Sequence, residues 1–299
     1  MPVRHAALLA MGVVAVSFSA IFIRLAHAPA VSIAFYRNGF AAALVVPLAV
    51  ARRRPELRAL TGRQGLILTA SGGLLAVHFA TWIASLSYTT IAASVVLVTA
   101  SPILVAVASS VLFGERVARR AIVGILVGLA GAAIVSGGDL IVVSGRAAGG
   151  DLLAVAGAVA AAGYFVAGRR LRQDLSLLTY VATVYATCAL LLWPAAVLSG
   201  ARLTGFPAKT WGLFVLMALV PQMLGHTVFN YLLKDVSATV VAISVMGEPI
   251  GSTLLALAFF GETPPWTAVL GGLLLLAGIY VAVTAEGRAR RRQPVTPLE

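Results

Sequence analysis

Pro102 is followed, after eleven residues, by Gly114-Glu115 and then by Gly124 and Gly131; Pro249 is followed, after eleven residues, by Gly261-Glu262 and then by Gly271 and Gly278. Every interval survives a displacement of 147 positions, which marks an internal duplication. Further upstream, His78 and Trp82 correspond to His226 and Asn230 at a displacement of 148, and Arg24-Leu25 parallels Arg170-Leu171. Matches between apolar residues come cheaply in a chain like this one, so the weight falls on the Pro, Gly-Glu and Gly spacings.

What has been duplicated follows from composition. With 60% hydrophobic and 11% charged residues in 299, and a mean hydropathy of +0.99, there is too little polar surface to coat a water-soluble domain. A hydrocarbon core about 30 Å thick takes about 20 apolar residues of helix to cross. Such stretches occur at 6–25, 31–51, 64–86, 90–113, 118–136, 150–168, 176–198, 210–232, 238–260 and 266–284. The sequence thus predicts an all-α membrane protein of ten transmembrane helices. Residues 1–140 form the first five-helix repeat, 150–286 the second, and 287–299 a basic cytoplasmic tail. The longest breaks, 52–63, 137–149 and 200–209, are too short for an independent core. An odd number of crossings makes the second repeat enter from the opposite side, so the repeats are inverted around a central cavity. Two such halves exchange conformations and open that cavity to each side in turn. A duplicated bundle without transport function is the plain alternative.

The formal charge of +12 invites a nucleic-acid reading, which the placement of the 22 Lys and Arg residues answers. With the N-terminus inside, 17 fall on inner segments: Arg4, the Arg52/Arg53/Arg54/Arg58/Arg63 cluster, Arg116/Arg119/Arg120, Arg169/Arg170/Arg172, Lys234 and Arg288/Arg290/Arg291/Arg292. Only Arg24, Arg146, Arg202 and Lys209 fall outside, and Arg37 lies within a helix. The basic excess is a topology signal that places both termini in the cytoplasm of a bacterial inner (plasma) membrane, with lipid as partner and no nucleic acid. Residues 4–28 resemble a signal peptide ending at Ala26-His27-Ala28, but Pro29 after the cut and the length of the apolar run favour a retained helix. The single cysteine, Cys188, forms no intrachain disulfide and belongs to no metal-ligand cluster.

Ionisable groups inside spanning helices are expensive in lipid and are site candidates by default. Glu248, His78, His226 and Arg37 are four such groups. Glu248 precedes Pro249, a helix-weakening hinge whose counterpart is Pro102. The carboxylate either binds a proton or a substrate ammonium, or pairs with Arg37 or a histidine to hold the bundle together. His78 and His226 flank the expected cavity, as proton-coupling groups or as neutral packing histidines. Gln222, His226 and Asn230 recur every four residues as one inward polar stripe. Trp82 shares a face with His78 and reads as a cavity wall, or else as an interfacial anchor. Arg37 and its neighbour Tyr36 are substrate-binding candidates, and Arg37 either clamps a substrate carboxylate bidentately or snorkels to the outer interface. Tyr164, with Tyr180 and Tyr185, offers further lining or simple packing. Glu115 and Glu262 follow helix ends and read as electrostatic helix-end residues, and Gly124, Gly128 and Gly131 as close-packing surfaces.

The stretch Ser32-Ile33-Ala34-Phe35-Tyr36-Arg37, the two Pro-x11-Gly-Glu segments and the duplicated ten-helix plan together resemble the EamA-type branch of the drug/metabolite transporter superfamily, over essentially the whole chain. The resemblance implies a basket of helices around a central cavity, lined by the first four helices of each half, with the fifth and tenth outside. It also implies export of amino acids or related metabolites. Multidrug efflux of cationic compounds, or a channel-like bundle, are the other readings. No His-Glu-x-x-His, Gly-x-Ser-x-Gly or Gly-x-x-x-x-Gly-Lys motif is present, so neither an enzyme nor direct use of ATP is expected. No cofactor and no obligatory protein partner are expected; proton coupling stays open.

Overall fold

In lipid every backbone amide and carbonyl needs a partner within the protein, so apolar runs of this length become helices. The computed structural model describes residues 2–89, 94, 97–113, 117–135, 145–261 and 266–292. These form helices α1 (Val3–Ala26), α2 (Ala30–Arg58), α3 (Gly62–Ser85), α4 (Ser101–Phe113), α5 (Arg119–Val135), α6 (Gly145–Asp174) and α7 (Leu177–Leu198). Then follow α8 (Ala208–Leu232) and α9 (Ala238–Phe260), and α10 (Trp266–Arg292). No strand occurs among the described residues. The starts are written in the sequence: Thr61 and Gln64 make a capping box ahead of α3, and the Ser176 and Ser237 hydroxyls cap α7 and α9.

Among the described residues α1, α2, α3, α6, α7, α8 and α9 are long and apolar enough to cross a membrane. In α4 and α10 the apolar stretches, Ser101–Leu112 and Val269–Ala285, are shorter. The expected break over 52–63 starts later, because α2 continues to Arg58 through a kink at Arg53, where φ is −130°. Glu115 and Glu262 lie outside the described residues, as does the start of the expected 90–113 helix.

Two interruptions reshape the expected rods. In α9 a turn at Met246–Gly247 separates Ala238–Val245 from Glu248–Phe260. Pro249 therefore sits in the first turn of a new helix, where its missing amide costs nothing. This corrects the expectation of a mid-helix proline kink: the break precedes the proline. Gly261, at φ +68°, closes the same segment as a left-handed cap. The Pro-x11-Gly spacing thus measures one short helix from first turn to cap. A turn at Thr99–Ala100 precedes Pro102 in the same way. Ala100 donates to Leu97 O and Gly247 to Ser244 O, and Ile103 donates to Ala100 O as Ile250 does to Gly247 O. In α8, residues Ala218–His226 around Pro221 are π-helical, a feature that favours functional sites.

The packing crosses between the halves. α1 lies against α8 and α9, and α6 lies against α3 and α4; α2 packs on α7, α4 on the first part of α9, and α5 on α10. The α5–α10 contact is made by backbone on backbone. A Cβ at Gly124 would stand 2.7 Å from Gly278 O, one at Gly131 2.6 Å from Gly271 O, and one at Gly278 2.3 Å from Gly128 N. Gly124 therefore faces the repeat-mate of Gly131, and Gly131 faces the repeat-mate of Gly124, the reciprocity expected of an interface about a two-fold axis.

Candidate functional site

The break before α4 and the break within α9 bring two short-helix starts, Ser101 and Glu248, to a common cavity of about 40 Å³. It is also lined by Ser19 of α1, Arg37 of α2, His78 and Trp82 of α3, Tyr164 of α6 and His226 of α8. That volume holds a few waters at most.

Arg37 is 0% exposed and does not snorkel. Its Nε donates to Gln222 Oε1 at 2.7 Å and its Nη1 to Ser19 Oγ at 2.8 Å, while the guanidinium lies 4.2 Å from the centre of the Phe79 ring. The fork is held from α1, α3 and α8 at once, which leaves Nη2 buried without a partner. Nε is engaged by Gln222 and one Nη1 hydrogen by Ser19, so a carboxylate would meet the guanidinium at its Nη1–Nη2 edge. Glu248 lines the same cavity, is 8% exposed, and makes no ion pair with Arg37 or either histidine; the ion pair found among the described residues is the surface contact Arg170–Asp174. The expectation of a bundle-holding Glu248 pair therefore finds no counterpart.

His78 and His226 meet, with ring centroids 6.4 Å apart. His78 Nδ1 donates to Gly157 O at 3.0 Å. A carbonyl accepts only, so that bond fixes the Nδ1–H tautomer and leaves Nε2 a bare acceptor in the neutral ring. Trp82 lies parallel to His78, 6.0 Å between centroids and 4° between planes, and its Nε1–H is buried without a partner. The polar stripe of α8 splits across the π segment: Gln222 holds Arg37, His226 faces the cavity, and Asn230 donates to the Tyr164 hydroxyl from behind.

Tyr36 is not brought to this cavity. Its ring stacks on Phe214, 4.8 Å away at 16°, amid Phe40, Phe206 and Trp211, and its hydroxyl donates to Leu203 O. Tyr180 and Tyr185 are bound to Ser71 and Thr227 and serve packing. Sequence reasoning missed Ser101 and Ser19. Ser101 is the repeat-mate of Glu248 and could have been found by applying the 147-residue displacement to the carboxylate; a lone hydroxyl such as Ser19 carries no such signal.

The two ends of the bundle differ. At the end of α6, Arg169 Nη1 donates to Leu233 O (2.7 Å) and Lys234 O (2.9 Å), Arg172 Nε to Asn230 O (3.0 Å), and Gln173 Nε2 to Lys234 O (3.2 Å). These carbonyls close α8 and have no intrahelical partners. The repeat-equivalent ends, those of α1 and α3, instead border an open cleft of about 300 Å³ lined by Arg24, His27, Ile33, Ile83, Leu86 and Ser87.

A multi-pass membrane protein whose ionisable side chains converge on one cavity between crossing helices has the build of a transporter. The chain belongs to the EamA-like transporter family, whose profile matches residues 4–137 and again 148–284. It is similar to an uncharacterized transporter of Archaeoglobus fulgidus, 28% identical over 275 residues, covering 90% of this chain and 93% of that one. It is also similar to a probable terminal-alkyne amino-acid exporter of Streptantibioticus cattleyicolor, 28% identical over 210 residues, covering 67% and 66%. A protein of known crystal structure shares the fold at a TM-score of 0.81 and 20% identity, over 97% of this chain and 99% of that one. Family and relatives are transporters, not enzymes.

Proposed function

We propose that this protein is a secondary carrier that exports small metabolites, amino acids foremost, across the bacterial inner membrane by alternating access, with both termini in the cytoplasm. One observation carries the reading. Arg37 of the first half and Glu248 of the second line one cavity without forming an ion pair with each other. Two unmatched charges of opposite sign in lipid are costly unless something supplies the complement, and a zwitterion does.

The architecture supports it. In this reading all ten helices cross the membrane as two inverted five-helix repeats, in line with the reciprocal packing of α5 on α10 and of α1 and α6 on the opposite halves. Discontinuous helices whose N-terminal ends meet near the midplane suit substrate binding there. The 17 to 4 split of basic residues supports the orientation. The printed name of the Streptantibioticus relative supports amino-acid export, and the buried guanidinium argues against a cationic cargo.

The test is counterflow in proteoliposomes against labelled amino acids, nucleosides and cationic drugs. Saturable, trans-stimulated exchange of amino acids is the expected result. Exchange confined to cationic drugs would move the protein to multidrug efflux, and exchange of nothing by folded protein would leave a structural bundle. If export is coupled to protons, the coupling runs through Glu248 or His78; a flat pH response together with unchanged activity in Glu248→Gln and His78→Gln excludes it.

A further inference from the structure

Buried polar atoms without a partner line the cavity on Arg37, Trp82 and His226, the last through Nδ1, and two acceptor groups, Glu248 and His78, line it beside them. Arg37 Nη2 and Trp82 Nε1 are buried donors with no acceptor. Glu248 is an acceptor with no ion-pair partner, and His78 Nε2 is left an acceptor by the Nδ1–H bond to Gly157. Buried polar atoms of a native protein are nearly all satisfied, so orphans gathered on one cavity mark the outline of something absent. Leaving such groups unmade is expensive, and a ligand that completes them gains what their desolvation cost.

We propose that the cavity requires both charged groups of an α-amino acid: the carboxylate binds at Arg37 Nη2 and the Trp82 indole N–H, and the ammonium binds at the Glu248 carboxylate and His78 Nε2. The inference rests on the carrier reading and deepens it by naming what the cargo must carry. Arg37 is positioned for a one-sided grip, since Ser19 and Gln222 hold its Nη1 and Nε. The indole supplies a further buried donor without a partner on the same cavity. A cationic amine leaves both donors orphaned and a simple carboxylic acid leaves both acceptors orphaned. A site built on buried polar groups rejects an analogue lacking the matching group far more strongly than it rejects a change in apolar size.

The experiment is counterflow of labelled L-phenylalanine, L-leucine and L-alanine in proteoliposomes of the full-length protein. Each exchanged amino acid is competed by itself, by the amine lacking its carboxylate and by the acid lacking its amine; for phenylalanine these are phenethylamine and 3-phenylpropanoic acid. Both truncated analogues should compete about tenfold to a hundredfold more weakly than the parent. Trp82→Phe, which keeps the ring and removes only the N–H, should narrow the gap between parent and amine and leave the gap between parent and acid intact. Glu248→Gln should do the reverse. Arg37→Lys, which keeps the charge but not the held geometry, should also lose the discrimination against the amine. If an amino acid is exchanged and either analogue competes as well as the parent in wild type, the two-ended site is wrong while the carrier reading stands. If none of the three amino acids is exchanged by folded protein, the inference fails together with the reading beneath it.

Discussion

Removing Arg172 should open one end of the bundle. Its Nε holds Asn230 O at 3.0 Å, it also donates to Leu175 O, and the residue is 3% exposed. Arg169 and Gln173 add donors to Leu233 O and Lys234 O. A hydrogen bond from a charged donor contributes about 1.5–3 kcal/mol; the buried Arg172 belongs in the upper part of that range and the half-exposed Arg169 in the lower. Since about 1.4 kcal/mol is a factor of ten in an equilibrium, Arg172→Ala should move the balance between closed and open at the α6–α8 end by about tenfold to a hundredfold. The equivalent helix ends of α1 and α3 are already apart around the 300 Å³ cleft, so in an alternating carrier this end should close as the other opens.

Accessibility to a membrane-impermeant maleimide reads both ends. Cys188 is the native thiol and is buried, so Cys188→Ser supplies the background. Leu233→Cys reports from beneath the tie, where Leu233 is 0% exposed, and Ile23→Cys reports from the cleft. Arg172→Ala should raise the labelling rate at Leu233→Cys at least about tenfold and lower it at Ile23→Cys. Equal rates with and without Arg172 would show that the contact holds nothing shut. Faster labelling at both positions would mean general loosening, and the reasoning from a two-ended equilibrium would fail.

Three further outcomes are expected. Gly278→Ala should lower thermal stability in detergent by about 1–3 kcal/mol, because the new methyl meets Gly128 N and Gly124 O at 2.3 and 2.6 Å; Gly212→Ala, with nothing within 4 Å, serves as control, and equal melting temperatures would refute the close packing of α5 on α10. Tyr36→Phe should leave substrate preference unchanged in counterflow and cost about 1 kcal/mol of stability, since its hydroxyl serves Leu203 O and not the cavity; an altered preference would put Tyr36 back in the site. Pro221→Ala restores a backbone donor inside the π segment and should let it relax toward α-helix, turning Gln222 away from Arg37; transport should fall several-fold at unchanged helical content by circular dichroism, and unaltered transport would show that the π geometry is incidental.

The helices were legible because lipid leaves the chain few choices: once a run of about 20 apolar residues is seen, its backbone must close on itself. The residues that matter most were legible for the same reason, since Arg37, His78, His226 and Glu248 stand out in apolar surroundings and all four reach one cavity. The position of each break was harder. A proline reads in sequence as a fault in a helix, yet Pro249 begins one, and only the cap at Gly261 shows that the Pro-x11-Gly spacing is a whole element.

What stayed hidden was whatever depends on the backbone as a partner. Tyr36 is polar, aromatic and adjacent to Arg37, and sequence has no means of showing that one points into an aromatic cluster and the other into the cavity; on a helix, neighbours at i and i+1 face apart. The acceptors that Arg169, Arg172 and Gln173 reach are carbonyl oxygens of Asn230, Leu233 and Lys234, which any side chain at those positions would present alike. Basic residues at a membrane boundary are accounted for by topology, so the second role of Arg169 and Arg172 leaves no trace in composition. The contrast between the two repeats does carry a trace. α6 ends in Arg169-Arg170-Leu171-Arg172, whereas the matching segment of α1 reads Ile23-Arg24-Leu25-Ala26. Two of the three basic residues are missing where the helix ends stand apart. Under the proposed inverted arrangement the same elements stand at both membrane faces, so a difference between repeats becomes a difference between faces, and the positions at which the proposed carrier departs from its own symmetry are those that decide which side it keeps closed.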